Sequence, residues 1–377
     1  MKKILHCLML LVLITSISFA EEKETLDIRI DQINSNDYPQ IKAYTVIKKS
    51  NGEILSGLSP NLFSFRIDSE EVKISSKIVP FSMTNESTDY TILISNNGIM
   101  DGEPLDFQKN AVIKFIEFMN EKDTLSVYTI GEDAGLVCEN VTKETFDSAV
   151  INSIEVSVSQ PRLYDSIINL LRKVEQKKNH RKVIIVLSDG RDQNSRFSKS
   201  QMEETLGQSS IPIYTVGIRV LSNQTLSILD SISELTGGSY FYSSMLSSIP
   251  DNLKKIIDCC NHAYVINLKV KSLKADNLNH ILEVQVDERD SRGKGLKTFV
   301  AVKHPFPKWL RLLIIILCVL LIVSIIFVKI FQKIRKRRNM GISRRKCPDC
   351  KNIMKDSWET CPFCKYLPEN KLKTRRQ

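Results

Sequence analysis

The stretch Lys182–Asn194 reads KVIIVLSDGRDQN and decides the fold of the central part of the chain. Five consecutive apolar residues, 183–187, leave no polar face, so both sides of this strand must be covered. Helices on both faces of a parallel sheet provide that cover. Asp189 follows at the strand's carboxyl end, the edge where open α/β sheets bind ligands. The stretch therefore predicts an α/β domain with a candidate site at Asp189.

Strand and helix patterns alternate on both sides of this strand. Residues 91–94, 125–130 and 211–218 are apolar strand segments, whereas 107–119 and 163–174 repeat apolar residues at helical spacing. Alternation of this kind across residues 89–261 predicts a doubly wound sheet.

Three segments of this region together resemble von Willebrand factor A (VWA) domains. They are Leu163-Tyr164-Asp165 at the start of a helix, the Ser188-Asp189-Gly190 loop, and residues 236–241, which read TGGSYF at the end of another helix. The resemblance covers residues 89–261 and implies a Rossmann-like VWA fold. Domains of this family bind other proteins, and many do so through a metal-ion-dependent adhesion site that chelates an acidic side chain of the partner.

The ligands of that adhesion site are mostly replaced in this chain. The family holds its metal with an Asp-x-Ser-x-Ser loop, a Thr before a later helix and the Asp of the Asp-Gly loop. Here Ser95 stands for the Asp, Asn97 and Ile99 for the two serines, and Pro161 for the Thr, so only Asp189 remains. Because Mg²⁺ is usually held by one or two carboxylates among oxygen ligands, we predict a degenerate site without Mg²⁺.

Two nearby carboxylates leave a metal-binding alternative open. Asp101 and Asp192 are close enough in sequence to complete a site through local rearrangement. Otherwise Asp189 orders its own loop or caps a helix. Since the crevice remains without the metal, we expect ordinary polar and apolar contacts with an unknown protein ligand.

The flanks of the VWA region predict a second type of fold. Residues 21–88 and 262–305 contain six segments in which apolar and polar residues alternate, as in half-buried strands. Residues 57–63 also resemble a turn of the immunoglobulin-like segment that precedes many bacterial A domains. We predict one immunoglobulin-like β-sandwich in which the VWA domain is inserted. Two separate partial sheets are the alternative.

Two apolar segments predict a membrane protein. Residues 1–20 combine Lys2 and Lys3 with an apolar run and end in Ser18-Phe19-Ala20, which indicates a cleavable signal peptide, with an uncleaved anchor as the alternative. Residues 309–331 include a charge-free run, 312–328, that predicts a transmembrane helix.

Charge predicts the orientation of that helix. Residues 329–346 contain nine Lys/Arg and no Asp/Glu, so the carboxyl-terminal end is predicted to be cytoplasmic and the amino-terminal domains extracytoplasmic. The basic juxtamembrane segment 332–346 and the basic tail 368–377 are expected to contact anionic lipid headgroups. Nucleic acid is an alternative that tethering to a membrane argues against.

Four cysteines form two C-x-x-C pairs in the predicted cytoplasmic part. Cys347, Cys350, Cys361 and Cys364 provide four thiolates, the ligand set of a closed structural zinc site. Residues 347–367 resemble short zinc-ribbon modules, although lysine stands after each pair where such modules often carry glycine. A redox pair is the alternative, but it lacks a surrounding βαβ unit. We therefore expect structural Zn²⁺ in this module.

Three further cysteines lie in the predicted exterior part. Cys138, Cys259 and Cys260 are odd in number, so at least one is free or pairs between chains.

These patterns predict a binding protein and no enzyme, because no catalytic set of residues emerges. We expect a single-pass membrane protein whose extracytoplasmic VWA domain mediates protein–protein interaction and whose cytoplasmic zinc ribbon docks a second partner. The alternative is an accessory or scaffold subunit of an envelope transport or assembly complex.

Overall fold

The computed structural model describes residues 23–71, 74–131, 134–177, 181–220, 226–270, 273–302, 308–339, 345–355 and 357–367. The predicted signal peptide (1–20), the basic tail (368–377) and part of the juxtamembrane segment (340–344) lie outside these residues. The chain forms two compact units, residues 1–303 and 304–377, which are described separately.

The first unit contains fourteen described strands and six α-helices. The strands are β1 (Glu24–Asp37), β2 (Gln40–Lys48), β3 (Phe63–Ile67), β4 (Glu70–Glu71), β5 (Ile74–Pro80), β6 (Thr88–Ile94), β7 (Thr124–Thr129), β8 (Gly135–Val141), β9 (Arg181–Ser188), β10 (Ile213–Ile218), β11 (Tyr240–Ser243), β12 (Tyr264–Val270), β13 (Asn279–Asp287) and β14 (Ser291–Val300). The helices are α1 (Glu103–Phe118), α2 (Ser148–Asn152), α3 (Leu163–Glu175), α4 (Lys199–Gly207), α5 (Ser227–Thr236) and α6 (Ile249–Asn261).

The central region is an α/β layer structure around β9. Its six strands have the order β11-β10-β9-β6-β7-β8, and all pairs are parallel except β7 with β8. All eight residues of β9 are buried, as its uninterrupted apolar run predicts. Val183, Ile185 and Leu187 pack with α1, α2 and α6, whereas Ile184 and Val186 pack with α3, α4 and α5. The predicted doubly wound fold of this region is confirmed.

The two flanks of the α/β region together form an eight-stranded sheet, called here the flanking sheet. Its order is β4-β3-β13-β14-β1-β2-β12-β5, so strands from before and after the α/β region lie in one sheet. This is two strands more than the sequence predicted. The extra strands are β4 and β5, whose charged or serine-rich sequences show little apolar alternation and which are held by pairing with β3 and β12.

The flanking sheet folds back on itself. Strands β3 and β12 are five strand positions apart, which would separate them by about 24 Å in a flat sheet. The ring centroids of Phe63 on β3 and Tyr264 on β12 are nevertheless only 5.4 Å apart. One apolar core fills the space between the two halves, so the sheet is layered.

The amino-terminal edge of the α/β sheet is buried against the flanking sheet. Arg181, the first residue of β9, is completely buried, with its guanidinium carbon 4.8 Å from the ring centroid of Tyr44 and 4.2 Å from that of Phe81. Its Nη1 donates to the carbonyl of Cys260 at 2.7 Å. Asp31 of β1 lies 4.0 Å from Arg181 Nη2 and accepts a hydrogen bond from Tyr214 at 2.8 Å. These contacts join the two sheets.

The chain also leaves the first unit at this edge. Val302 lies beyond β14 and lines a cleft of about 760 Å³ together with Asp37, Glu175 and Lys182. Glu175 ends α3 and Lys182 is the second residue of β9, so the cleft is at the amino-terminal edge of the sheet. The carboxyl-terminal edge, with Asp189, is opposite.

The second unit contains a long apolar helix, α7 (Lys308–Asn339), and a two-stranded hairpin of β15 (Arg345–Lys346) and β16 (Ile353–Met354). Within α7, residues 312–335 are long and apolar enough to cross a membrane. The described side chains of that stretch are exposed, so no described part of the protein covers them.

Candidate binding edge and candidate metal centre

The candidate site begins where two neighbouring strands of the α/β sheet end together. Ile94 of β6 pairs with Leu187 of β9, and the next residue, Ser95, donates its N–H to the carbonyl of Leu187 at 2.9 Å. This pairing brings the loop of Ser95 and Asn97 beside the loop of Asp189. All three side chains are buried, so the structure does bring the three predicted residues together.

Asn97 directs a hydrogen-bond donor into this site. Its Oδ1 accepts from the N–H of Ile99 at 3.1 Å, and its Nδ2 donates to Ser95 Oγ at 3.0 Å. The Asn97 side chain also donates to the carboxylate of Asp189. A cation needs oxygen atoms at this position. Asn97 instead presents its NH₂ group between the hydroxyl and the carboxylate.

The charge of Asp189 is balanced by a cation from its own loop. Arg191 Nε lies 3.2 Å from Asp189 Oδ2, and the Arg191 N–H lies 3.4 Å from Oδ1. Burial raises the pKa of Asp189 above its ordinary value, while the N–H and the charge of Arg191 act in the opposite direction. The Arg191 guanidinium therefore balances the negative charge of this carboxylate, as a bound metal ion does in an intact adhesion site.

Asp192 and Pro161 serve the start of α3. Asp192 Oδ1 accepts from the N–H of Tyr164 at 3.2 Å and from the hydroxyl of Ser195 at 2.5 Å. Pro161 contributes its backbone carbonyl to Gln193 N–H at 2.9 Å and has no side-chain oxygen. These contacts bind the α3 start to the loop after β9. Asp192 therefore orders this loop with its side-chain hydrogen bonds, as the Asp of an Asx turn does.

The sequence pattern assigned no structural contact to three residues that shape this edge. Arg191 could have been noticed as a basic residue two positions after an Asp whose companion ligands are missing. Asp165 accepts the N–H groups of Arg196 and Phe197 at 2.9 and 3.0 Å, which fixes the loop after β9 on α3. Asn96 donates to the carbonyl of Glu155 at 2.9 Å and so fixes the loop before α3; no sequence signal indicated this contact.

The same edge exposes apolar and basic side chains. Val158, in the loop between α2 and α3, is fully exposed, and the Arg196 side chain is 71% exposed. Arg219, directly after β10, is also exposed. An ordered polar floor with exposed apolar and arginine side chains has the composition that protein-binding surfaces favour.

The four predicted zinc ligands form a compact cluster in the second unit. The Sγ atoms of Cys347 and Cys364 are 3.5 Å apart, those of Cys350 and Cys361 are 3.6 Å apart, and all four lie within 4.8 Å of one another. With Zn–S bonds of about 2.3 Å, a tetrahedral site has S···S edges of about 3.8 Å. The four thiols therefore fit zinc, and their number leaves no open position for substrate.

The backbone around the cluster is that of two equivalent knuckles. In the first, Lys351 N–H donates to the carbonyl of Cys347 at 2.9 Å, and Cys347 N–H donates to that of Asn352 at 2.8 Å; the second repeats both bonds. Lys351 and Lys365 have φ angles of 58° and 63°, in the left-handed region that glycine adopts more easily. The lysines thus keep the turn that glycine forms in similar modules.

The amide groups of the knuckles favour a thiolate. Burial acts to raise the pKa of Cys361, but the N–H groups of Cys364 and Phe363 point at its sulfur and lower that pKa to about 7. Metal binding requires this deprotonated form.

The remaining described cysteines are free thiols. Cys138 is half-buried, Cys259 and Cys260 are buried in α6, and Cys318 lies in α7. Burial raises the pKa of Cys260 to about 12, which keeps its thiol protonated at neutral pH.

Comparisons with known proteins agree with the fold of the central region. Residues 89–255 match the family model described as von Willebrand factor type A domain. No curated protein matches the sequence.

Solved structures with similar folds share little sequence with this chain. A von Willebrand factor type A protein from Catenulispora acidiphila has 9% identity and a TM-score of 0.42, with 75% of each chain covered. An aerotolerance-related membrane protein from Bacteroides fragilis has 15% identity and a TM-score of 0.37, covering 45% of this chain and 98% of the other. The ArnB paralog VWA2 from Sulfolobus acidocaldarius has 11% identity and a TM-score of 0.39, covering 74% and 75%. Residues 89–255 of this protein are a von Willebrand factor type A domain.

Proposed function

We propose that the protein is a single-pass membrane protein whose extracytoplasmic VWA domain binds a protein partner at its carboxyl-terminal edge without a metal. The cytoplasmic cysteine module holds structural Zn²⁺ and serves as a docking module. The proposed role is binding and not catalysis.

The observation that carries this proposal is the pairing of Asp189 with Arg191. A metal at this edge would need Arg191 to leave and Asn97 to turn its NH₂ group away from the carboxylate. Only Asp189 would then supply a negative charge, which is little compensation for the dehydration of Mg²⁺. In the observed arrangement, Arg191 Nε lies 3.2 Å from the Asp189 carboxylate and the Asn97 NH₂ group donates to Ser95 Oγ.

The contrast between the two edges of the sheet supports the location of the partner. The flanking sheet covers much of the amino-terminal edge, where it encloses Arg181, and the cleft there is lined by polar residues such as Asp37, Glu175 and Lys182. The carboxyl-terminal edge carries the exposed side chains of Val158, Arg196 and Arg219. The second edge therefore has the exposed apolar and arginine side chains that protein-binding surfaces favour.

The membrane and zinc parts of the proposal rest on the second unit. Residues 312–335 have the length and composition of a span, and the basic residues that follow favour a cytoplasmic carboxyl-terminal end. The geometry of the four thiols fits one zinc ion per chain.

Site-specific photocrosslinking in native membranes tests the binding edge. A photoreactive residue replaces Val158, and the control replaces Met83, which is also highly exposed but lies beside the flanking sheet. We expect one protein adduct at position 158, none at 83, and no loss of the adduct when external divalent cations are chelated. An adduct that requires divalent cations, or equal labelling at both positions, would contradict the proposal.

A further inference from the structure

The zinc module carries an aromatic and basic surface that its structural role does not use. Phe363 lies between the two cysteines of the second knuckle and is 65% exposed. Its ring centroid is 6.5 Å from that of Trp358, and Lys355 Nζ is 5.7 Å from the Trp358 ring. We call Lys355, Trp358 and Phe363 the aromatic patch.

The exposure of the Phe363 ring to water is unfavourable for a module that is free in solution. The small core of the module contains Cys347, Met354 and Cys361, with Trp358 packed only partly against it. Phe363 is outside that core, and water contacts most of its ring. An exposed phenylalanine and a half-buried tryptophan beside a lysine resemble the side chains that occupy the boundary between lipid and water, where the rings enter the headgroup layer and the lysine reaches the phosphates.

The charge around the patch is complementary to an anionic surface. Lys351, Lys355 and Lys365 are all exposed, and residues 345–367 carry five basic and three acidic side chains, a net charge of +2. Lys351 and Lys365 form the left-handed turns at the tips of the two knuckles. Glycine would be less strained in this conformation, yet the chain has lysine at both positions. Anionic headgroups attract lysines near the membrane surface, and the attraction falls with salt.

The chain also keeps the module close to a membrane. Arg335 ends the apolar part of α7, and Arg345 begins the hairpin of the module ten residues later. Even fully extended, ten residues reach about 35 Å. A tether of that length gives the module a high effective concentration at the surface, so a weak interfacial affinity is sufficient for docking.

We propose that the zinc module docks on the anionic cytoplasmic face of the membrane, with Trp358 and Phe363 in the headgroup layer and Lys355 on the phosphates. This inference rests on the proposed membrane span and zinc site, and it names the surface to which the docking module binds. Zinc then acts indirectly, because it fixes the two knuckles that present the patch.

Tryptophan quenching in the full chain tests this inference. The sequence has two tryptophans, so Trp309→Phe leaves Trp358 as the single tryptophan, which is excited selectively at wavelengths where tyrosine does not absorb. The zinc-loaded chain is placed in nanodiscs of phosphatidylglycerol or phosphatidylcholine, each with plain or brominated acyl chains, and zinc is counted in every sample. In phosphatidylglycerol we expect brominated lipid to reduce Trp358 emission about twofold, and in phosphatidylcholine much less.

Matched variants separate docking from folding. Phe363→Ser and Lys355→Glu should each reduce the quenching while one zinc per chain remains, whereas Met83→Ser, which removes an exposed apolar side chain from the first unit, should not. Equal Trp358 emission in plain and brominated phosphatidylglycerol, with zinc bound, would overturn the inference and favour a soluble protein on this patch. A chain that enters nanodiscs but binds no zinc would overturn the zinc part of the proposed function and this inference with it.

Discussion

The VWA edge and the cysteine module differ in how well their side chains suit a metal ion. At the VWA edge, the fold of the site remains, but a single carboxylate is left and Arg191 balances it. In the cysteine module, all four ligands are present at distances that fit zinc, although lysines replace glycines in its turns.

The difference follows from what each metal does for its domain. The VWA core contains dozens of buried apolar side chains, so its fold does not depend on a cation. The cysteine module has only a small core around Cys347, Met354 and Cys361, so we expect its fold to depend on the proposed zinc. Loss of metal ligands should therefore leave a domain with a large apolar core folded, whereas it should unfold a small module such as this one.

The largest expected effect is the loss of the cysteine module. Cys350→Ser removes one of four thiolates, and structural zinc in such peptides is worth about 10 kcal/mol or more. We expect bound zinc to fall from one ion per chain to none, measured by elemental analysis of the purified full chain. Cys318→Ser is the control, because Cys318 lies in α7 and outside the cluster. Retention of zinc by Cys350→Ser would refute the four-thiolate site.

A smaller effect is expected when the counter-ion of the VWA edge is removed. Arg191→Ala leaves the buried Asp189 carboxylate without its cation and should lower the local stability by about 1–3 kcal/mol. Hydrogen exchange of the β9 amides in the full chain measures this loss. The double variant Arg191→Ala/Asp189→Asn should recover part of it, because the uncompensated charge is gone. Strictly additive losses would show that the two side chains do not interact.

A change of pH should affect the two sites in different ways. Each unit by which folding shifts a pKa changes the free energy of unfolding by about 1.4 kcal/mol. Since burial raises the folded-state pKa of Asp189, its contribution to stability is complete below about pH 3.8 and is lost as pH rises through the folded pKa. Arg191 limits that loss, so the difference between wild type and Arg191→Ala should grow as pH rises above about 3.8. Zinc affinity should fall on acidification over the same range, because the thiolates take up protons.

Hydrogen exchange and zinc content measured in parallel from pH 5 to pH 8 check both trends. A difference between wild type and Arg191→Ala that shrinks as pH rises would contradict the assigned role of Arg191.

The sequence predicted the parts of the molecule that depend on local pattern. The buried run at β9 indicated a strand covered on both faces, and the spacing of the four cysteines indicated their cluster. Ser95, Asn97 and Asp189 could be brought together because the ends of adjacent parallel strands meet at one edge.

The parts that the sequence did not reveal depend on tertiary contacts. Strand β4 is only Glu70–Glu71, and its pairing with β3 cannot be recognised from two charged residues. Arg181 begins β9 and would be expected at a surface, yet it is enclosed by the ring of Tyr44 from the flanking sheet and that of Phe81 directly after β5. The direction of the Asn97 amide and the approach of Arg191 to Asp189 are likewise set by loop geometry.

The central claim is that the VWA edge works without a metal, and a calorimetric titration tests it most directly. The zinc-saturated full chain in nanodiscs is titrated with Mg²⁺ and with Mn²⁺, in parallel with the Asp189→Ala variant. We predict the same weak, unsaturable heats for both proteins. Saturable micromolar binding to the wild type that Asp189→Ala abolishes would contradict the account.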